Sequence, residues 1–513
     1  MSQHSSLDWE IGANYTLGVK LLAIETRTSN PDLKDPDAHV TEDEAQTRFV
    51  LGIQLWGLLL LTLHLAAFKL PEEAAWSLWP YTFLPAGLGW ILALLAAALI
   101  IPPVNQVVCR WTYRLWLAWP AKYAYKGWFA LAAGLAGVIF WLARLRHLRW
   151  GDSYLLSVAL SYPDLDLRVI YNWQAPLTVF IHQRLWQFVA DPWLGWPVAN
   201  VYATLSILAG MIFVYVLLLF TMDLGRDPLE AAILAGMLLT TGSMQLFFGY
   251  VENYTIVSLA LMVTLFLAWR ALRAEIQPLW PILSLSLANA LHPSTVFLWP
   301  GLWLLSWQCW RRGYVSPAGA LLQTVLPPLL VAGGVLVLME SGGHGVSALL
   351  GVDRPGGGDG IWFVPLFATT TAWQRYTMFS VDHILDWANV HLLISPFGLP
   401  ILILAISLLG RYRLTIFETP AEKDFAYFLG VTSAMYLLLT WFWNPDYGGR
   451  KDWDLFAPSA FVYTLLAGYL VVHILRDRQK LAEVGLFISV ISLLHTGAWI
   501  FTNSQELPEI EES

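Results

Sequence analysis

The run WFALAAGLAGVIFWLARL (Trp128–Leu145), followed closely by RWGDSY (Arg149–Tyr154), decides the fold. The first stretch has the length and apolarity of a helix that crosses a hydrocarbon layer, roughly 17–25 residues. Asp152 is the first acid after it, standing where the chain re-enters water. A carboxylate there is cheap to solvate yet close to lipid. Two readings follow: chemistry on a lipid-borne substrate, or an N-cap for the next helix.

Composition agrees with a membrane protein. Of 513 residues, 57% are hydrophobic and 13% charged, and the mean hydropathy is +0.56. Such a chain is too apolar for a soluble fold. The 28 Trp and 20 Tyr fit aromatic belts at two interfaces. A net charge of −8 with no long Lys/Arg run argues against a nucleic-acid partner. Cys109 and Cys309 fall near expected cytoplasmic span ends, so no disulfide is expected.

About 13 apolar segments read as transmembrane helices, from Val50–Phe68 to Leu481–Phe501. Leu229–Phe248 and Trp387–Leu409 each read as one helix, whereas Trp280–Leu291 and Ser294–Trp310 read as a short pair. Residues 1–48 read as a cytoplasmic tail, with Asn14–Glu25 as an alternative interfacial helix. Residues 49–126 add two N-terminal helices and a cytoplasmic loop, 127–502 form the core, and 503–513 an external acidic tail. Arg110, Arg114, Lys122, Lys126, Arg226, Arg270, Arg273, Arg311, Arg312, Arg411, Arg413, Lys423, Arg476, Arg478 and Lys480 then share the cytoplasmic side. That bias places the N-terminus inside and the C-terminus outside. Arg144, Arg146 and Arg149 run against it, facing anionic headgroups or a lipid phosphate.

Three long connections remain for the external side: Arg146–Trp196, Glu340–Asp386 and Asn444–Leu455. With span ends facing them they hold Asp152, Asp164, Asp166, Glu252, Asp353, Asp359, Asp382, Asp386, Asp446, Asp452 and Asp454, together with His182, His292, His344, His383 and His391. The first connection reads as two helices split at Ser161–Asp164. In the second, Leu177, Phe180, Ile181, Leu185, Trp186 and Val189 make an apolar stripe opposite His182, Gln183 and Gln187, as in a helix lying in the interface plane. The Gly-rich runs Gly342–Gly345 and Gly356–Gly360 read as a flexible lid.

Three further motifs carry chemistry. In Phe248-Gly-Tyr250-Val-Glu252-Asn-Tyr254 an acid sits between aromatics at the membrane edge, where a fully buried charge costs about 2.5–3.5 kcal/mol on insertion scales. At Asn289–Ser294, Pro293 frees backbone carbonyls, and His292 serves either them or a phosphate. In Asn444-Pro-Asp-Tyr-Gly-Gly-Arg-Lys-Asp-Trp-Asp454, Arg450 and Lys451 suit a phosphate. Asp452 and Asp454 form an Asp-x-Asp pair that either binds a divalent cation, Mg or Mn, or caps the following helix.

A loop acid after a span, an interfacial loop helix, a Tyr-x-Glu-x-Tyr junction, a His-Pro break and a late polar loop together resemble the GT-C superfamily of polyprenyl-phosphate-sugar glycosyltransferases. Protein O-mannosyltransferase-like and aminoarabinose-transferase-like enzymes belong to it. The resemblance spans roughly Lys126–Thr502 and implies an all-α polytopic bundle with external loop helices. It also implies that Asp152 is a general base. Ser153 follows Asp152 where the family usually has a second acid, so a metal role for this loop is not carried over.

That resemblance implies a polyprenyl-phosphate-linked sugar donor, a glycan, lipid or protein acceptor, and a site outside the bacterial inner membrane rather than in the endoplasmic reticulum. A lipid phosphate leaves as a stable anion, so one base suffices and a second acid is not needed. Glu252 joins Asp152 as a catalytic candidate. Arg450, Lys451, His292, Arg375 and His383 are donor-phosphate candidates, and Tyr154, Tyr250, Tyr254, Asn172 and Gln174 are candidates for the acceptor or sugar. The alternative is a secondary transporter or flippase for a lipid-linked or anionic solute, with His292-Pro293 as its broken helix.

Overall fold

The computed structural model describes residues 36–117, 125–351 and 361–505. Within these residues the regular elements are helical, and the only β pairing is an isolated bridge between Phe363 and Trp443. The α-helices of eight residues or more are α1 (Pro36–Ala66), α2 (Ala86–Ala98), α3 (Pro102–Leu117), α4 (Tyr125–Leu142), α5 (Ser153–Leu160) and α6 (Pro176–Leu185). There follow α7 (Val198–Leu224), α8 (Pro228–Leu239), α9 (Tyr254–Leu272), α10 (Leu279–Leu291), α11 (Trp299–Arg311) and α12 (Pro317–Ser341). The last are α13 (Val381–Ile394), α14 (Gly398–Tyr412), α15 (Pro420–Phe442), α16 (Trp453–Ile474) and α17 (Arg478–Ser504).

Among the described residues eight helices are individually long and apolar enough to cross a membrane, or up to ten if each of two bent pairs counts as one span. The thirteen apolar segments therefore divide differently from expectation. Leu229–Phe248 is not one helix: α8 stops at Leu239 and a 3-10 turn, Gly242–Phe247, follows. Gly242 sits so close to the Leu393 carbonyl that no side chain fits there, which seats the turn tightly against the end of α13. Trp387–Leu409 breaks into α13 and α14 at an angle of 99°, and α2 and α3 meet at 96°. At the first break Ser395 Oγ turns aside to Thr464 at 2.7 Å and accepts from Gly398 N–H at 3.2 Å. This side-chain pairing satisfies backbone that a continuous helix would have bonded to itself.

Helix α1 begins earlier than the expected tail boundary, at Pro36. Proline at the first position and an Arg48–Glu44 pair one turn apart suit the start of a helix. At the other end Asn503 lies buried within α17 rather than opening a tail. Asn14–Glu25, Lys122, Asp353, Asp359 and Gly356–Gly360 lie outside the described residues.

The centre of the bundle is α16, buried along almost its whole length between α8, α9, α13, α14 and α15. Helices α1 and α17 pack on one flank, and α4, α7 and α9 to α12 extend the other. Nearly every side chain of α16, from Trp453 to Ile474, is buried. A helix apolar all round belongs inside, whereas α12, with an equally apolar sequence, stays on the rim and leaves Leu321, Leu329, Leu330 and Val337 exposed. Cys109 and Cys309 are free thiols.

The connections sort by end. At one end Trp173 Nε1 donates to His344 O at 2.9 Å, Gly449 N–H to Asp386 at 2.7 Å and Gly151 N–H to Lys451 O at 2.9 Å, so the three long connections meet. The basic short loops meet elsewhere: Glu230 takes Arg226 and Arg478, Asp424 takes Arg312, and Asp43 takes Lys480. The three long connections and the basic short loops thus gather in different places.

Candidate functional site

Helix α4 delivers the chain to the site. Leu145 N–H donates to Phe248 O at 2.8 Å, pinning the exit of α4 beside the Phe248–Tyr254 junction. That junction is itself held by Ser206, whose hydroxyl donates to Leu246 O at 2.7 Å and accepts from Tyr250 N–H at 3.2 Å. Trp150 Nε1 donates to Asn503 Oδ1 at 3.0 Å, adding α17 to the frame. Gly151 then turns the chain with φ +50°, and a Cβ there would lie 2.5 Å from Glu252 Oε1 and 3.1 Å from Asp454 Oδ2. Only glycine meets both demands.

Asp152 occupies the N-cap position of α5, but its side chain makes no capping bond. Its peptide N–H instead donates to Glu252 Oε1. The carboxylate is half-buried with the Tyr447 hydroxyl beside it. Burial raises it above the ordinary aspartate value, and the neighbouring Tyr447 hydroxyl acts against the rise. The Tyr447 hydroxyl is pushed up to about 12, chiefly by burial and then by the Asp152 charge, so it stays protonated and remains a donor.

Glu252 is 2% exposed. Burial, then the charges of Asp454 and Asp152, push it well above the carboxylate range, opposed by the N–H groups of Asp152 and Asn253. Asp452 is driven the same way by burial and Asp454, and its Oδ2 accepts from Tyr447 N–H at 2.8 Å. Asp454 lies in the first turn of α16, fully buried; its Oδ2 and the hydroxyl of Tyr250 are each without a well-formed hydrogen bond although they face one another. Four carboxyl groups therefore share one poorly solvated corner, and neighbouring carboxylates crowded this way titrate as a set. No group of three or more His, Cys, Asp or Glu side chains among the described residues is arranged to hold a metal ion.

The remaining sequence candidates scatter. Lys451 and Arg450 belong to the loop whose backbone meets Gly151, and Arg450 pairs with Glu72. Arg375 lies along the same loop, its Nε 3.5 Å from Asp446 O. His292 meets the local backbone at an N–H rather than at a freed carbonyl: its Nδ1 accepts from Ser294 N–H at 3.2 Å and meets Ser294 Oγ at 2.8 Å, while its ring leans on Tyr254 at 4.8 Å. His383 Nδ1 is 2.5 Å from Met378 O and its ring stacks on Tyr376, a packing role. Tyr154 is exposed on α5, whereas Tyr250 is fully buried.

Asn172 and Gln174 line a cavity of about 440 Å³ with Asp166, Arg168, Tyr171, Trp173 and His344, a lining that none of the four clustered acids joins. Helix α6 turns its polar face inward, His182 stacking on Tyr202 at 3.8 Å. Of the expected apolar stripe, Leu185 and Val189 are exposed, Leu177, Phe180 and Ile181 are half-buried, and Trp186 is buried in the protein.

Tyr447 and Gly151 were not singled out in the sequence. Each gains its role from a contact across some 300 positions, and neither sits in a spacing that announces it.

No family model matches the chain, and no curated protein matches it in sequence. Among solved structures it is similar to the crystal structure of ArnT from Cupriavidus metallidurans bound to undecaprenyl phosphate, with 9% identity and a TM-score of 0.45 over 75% of this chain and 78% of that one.

Proposed function

We propose that this protein is a GT-C-type glycosyltransferase of a bacterial inner membrane. It moves a sugar from a polyprenyl-phosphate donor to an acceptor hydroxyl at the outer face, with Asp152 as general base. One observation carries the reading: Asp152 sits at a helix N-cap yet leaves its carboxylate uncommitted to the cap. A cap would use that oxygen on the helix N–H groups. Here it is raised by burial and steadied by a single phenol, the condition in which a carboxylate takes a proton readily.

In the proposed step the acceptor oxygen bonds to the anomeric carbon as its proton passes to Asp152. The bond from that carbon to the phosphate oxygen breaks, and its electron pair leaves with the phosphate. The product is inverted. Arg450 and Lys451 stabilise the departing anion, which requires Arg450 to release Glu72. Glu252 holds the Asp152 backbone in place.

The test is mass spectrometry of lipids that copurify with wild type and with Asp152→Asn. A polyprenyl-phosphate sugar retained by the variant and discharged by wild type supports the assignment. Full transfer by the variant, or retention of configuration in the product, overturns it.

A further inference from the structure

Outside the acidic corner, the Asp386 carboxylate is a meeting point for three segments distant in sequence. Its Oδ1 accepts from Trp76 Nε1 at 3.1 Å, and its Oδ2 from the Tyr376 hydroxyl at 2.8 Å and from Gly449 N–H at 2.7 Å. One turn further along α13, Asn389 engages the same N-terminal segment. Its Oδ1 accepts from Ser77 N–H at 3.2 Å and Ser77 Oγ at 2.7 Å, and its Nδ2 donates to Ala74 O at 2.9 Å. The segment between α1 and α2 is therefore fastened to α13 at two successive turns.

Gly449 transmits this to the site. A Cβ at Gly449 would stand 2.5 Å from Val390 Cγ2 and 2.8 Å from Asp386 Oδ2, so the loop lies flush on α13. The loop is closed on itself: Lys451 N–H and Asp452 N–H both donate to Gly448 O at 3.0 Å, and Tyr447 N–H donates to Asp452 Oδ2 at 2.8 Å. The loop is joined to the Asp152 turn by Gly151 N–H, which donates to Lys451 O at 2.9 Å, and two residues before Gly449 the Tyr447 hydroxyl stands beside Asp152. Fixing Gly449 thus fixes where that hydroxyl stands.

We infer that Asp386 is a positioning residue: it anchors the 444–452 loop so that Tyr447 meets Asp152, and Trp76 of the N-terminal segment completes the anchor. Its bearing on turnover rests on the glycosyltransferase reading; the structural link does not. The chemistry of the anchor is specific to a carboxylate, because three donors converge on two oxygens. An amide would turn one oxygen into a donor and set it against Trp76 or against the Tyr376 and Gly449 pair.

The experiment places 3-fluorotyrosine at position 447 of the full chain in detergent and records its ¹⁹F resonance. Asp386→Asn, Tyr376→Phe, Trp76→Phe and Asp152→Asn are each compared with wild type. Asp152→Asn and Asp386→Asn are expected to move or split the signal, and the two single-donor variants to move it less. With a transferred lipid donor in hand, Asp386→Asn is expected to lower kcat roughly 10- to 100-fold while KM changes less than about twofold, the pattern of a misplaced group.

A 447 signal untouched by Asp386→Asn and Tyr376→Phe overturns the proposal, and so does one untouched by Asp152→Asn. Should Asp386→Asn fail to fold, Tyr376→Phe, which removes one hydroxyl, decides alone: a shifted signal supports the link and an unchanged one overturns it. Shifted signals with no transfer by any form, wild type included, would sink the glycosyltransferase reading and leave the positioning link standing.

Discussion

The peptide N–H of Asp152 is bound by the carboxylate of Glu252, one hundred residues later in the chain. One acid is thereby held through its backbone while its own side chain remains available. A buried acid and a half-buried acid so close cannot both ionise cheaply. The first expectation concerns the half-buried one.

If Asp152 is the base, kcat/KM rises with pH as its carboxyl loses its proton, at a pH above the ordinary aspartate value of 3.8. Tyr447→Phe removes the neighbouring hydroxyl that favours the charged form, so the acid limb moves to higher pH. A pH profile of both forms checks this. An acid limb that Tyr447→Phe leaves in place or moves down would reject the contact as the tuning element.

Glu252 is one of the crowded acids through which stability depends on pH. Its folded-state value lies well above the unfolded value of 4.5, so between the two the folded protein holds the extra proton. Stability from this group is fully present below about 4.5 and is lost as pH rises through the folded value. Glu252→Gln keeps an oxygen for Asp152 N–H and removes the titration. Thermal unfolding in detergent should show the variant gaining on wild type as pH rises from 5 to 8, and parallel curves would contradict the assignment.

Gly151→Ala tests the close approach. A left-handed backbone costs a non-glycine residue about 1–2 kcal/mol, and the added Cβ must also displace the Glu252 or Asp454 carboxyl. A lower Tm together with lost transfer is expected. A variant with wild-type Tm would show that the turn has room this geometry denies it.

Much of the architecture was legible because bilayer thickness imposes segment length, and the apolar runs carry that constraint openly. The breaks were less so. Ser395 and Gly242 read as ordinary residues in apolar stretches, and only their partners Thr464 and Leu393 explain the bends. At the site, Asp152 and Glu252 stood out because acids at a membrane edge are rare. Tyr447 and Asp386 did not, since an exposed-looking loop phenol and one acid among many become meaningful only when the loops close on each other. His292 and His383 stood out for their chemistry, yet the structure uses both to satisfy local backbone.

Glu72 and Arg450 form an exposed ion pair at the rim of the site, and such a pair is worth only about 0.2–1 kcal/mol. Under the proposed function, the donor's phosphate would offer Arg450 a stronger, more highly charged partner, and Glu72 would then act as a weak competitor. Glu72→Ala is expected to lower KM for the lipid donor about two- to fivefold, and Arg450→Ala to raise it by more. Because both effects are those of exposed charges, they should shrink as salt rises. Steady-state kinetics at two ionic strengths give the comparison. If Glu72→Ala raises KM as Arg450→Ala does, the acid is orienting the arginine for the phosphate rather than competing for it.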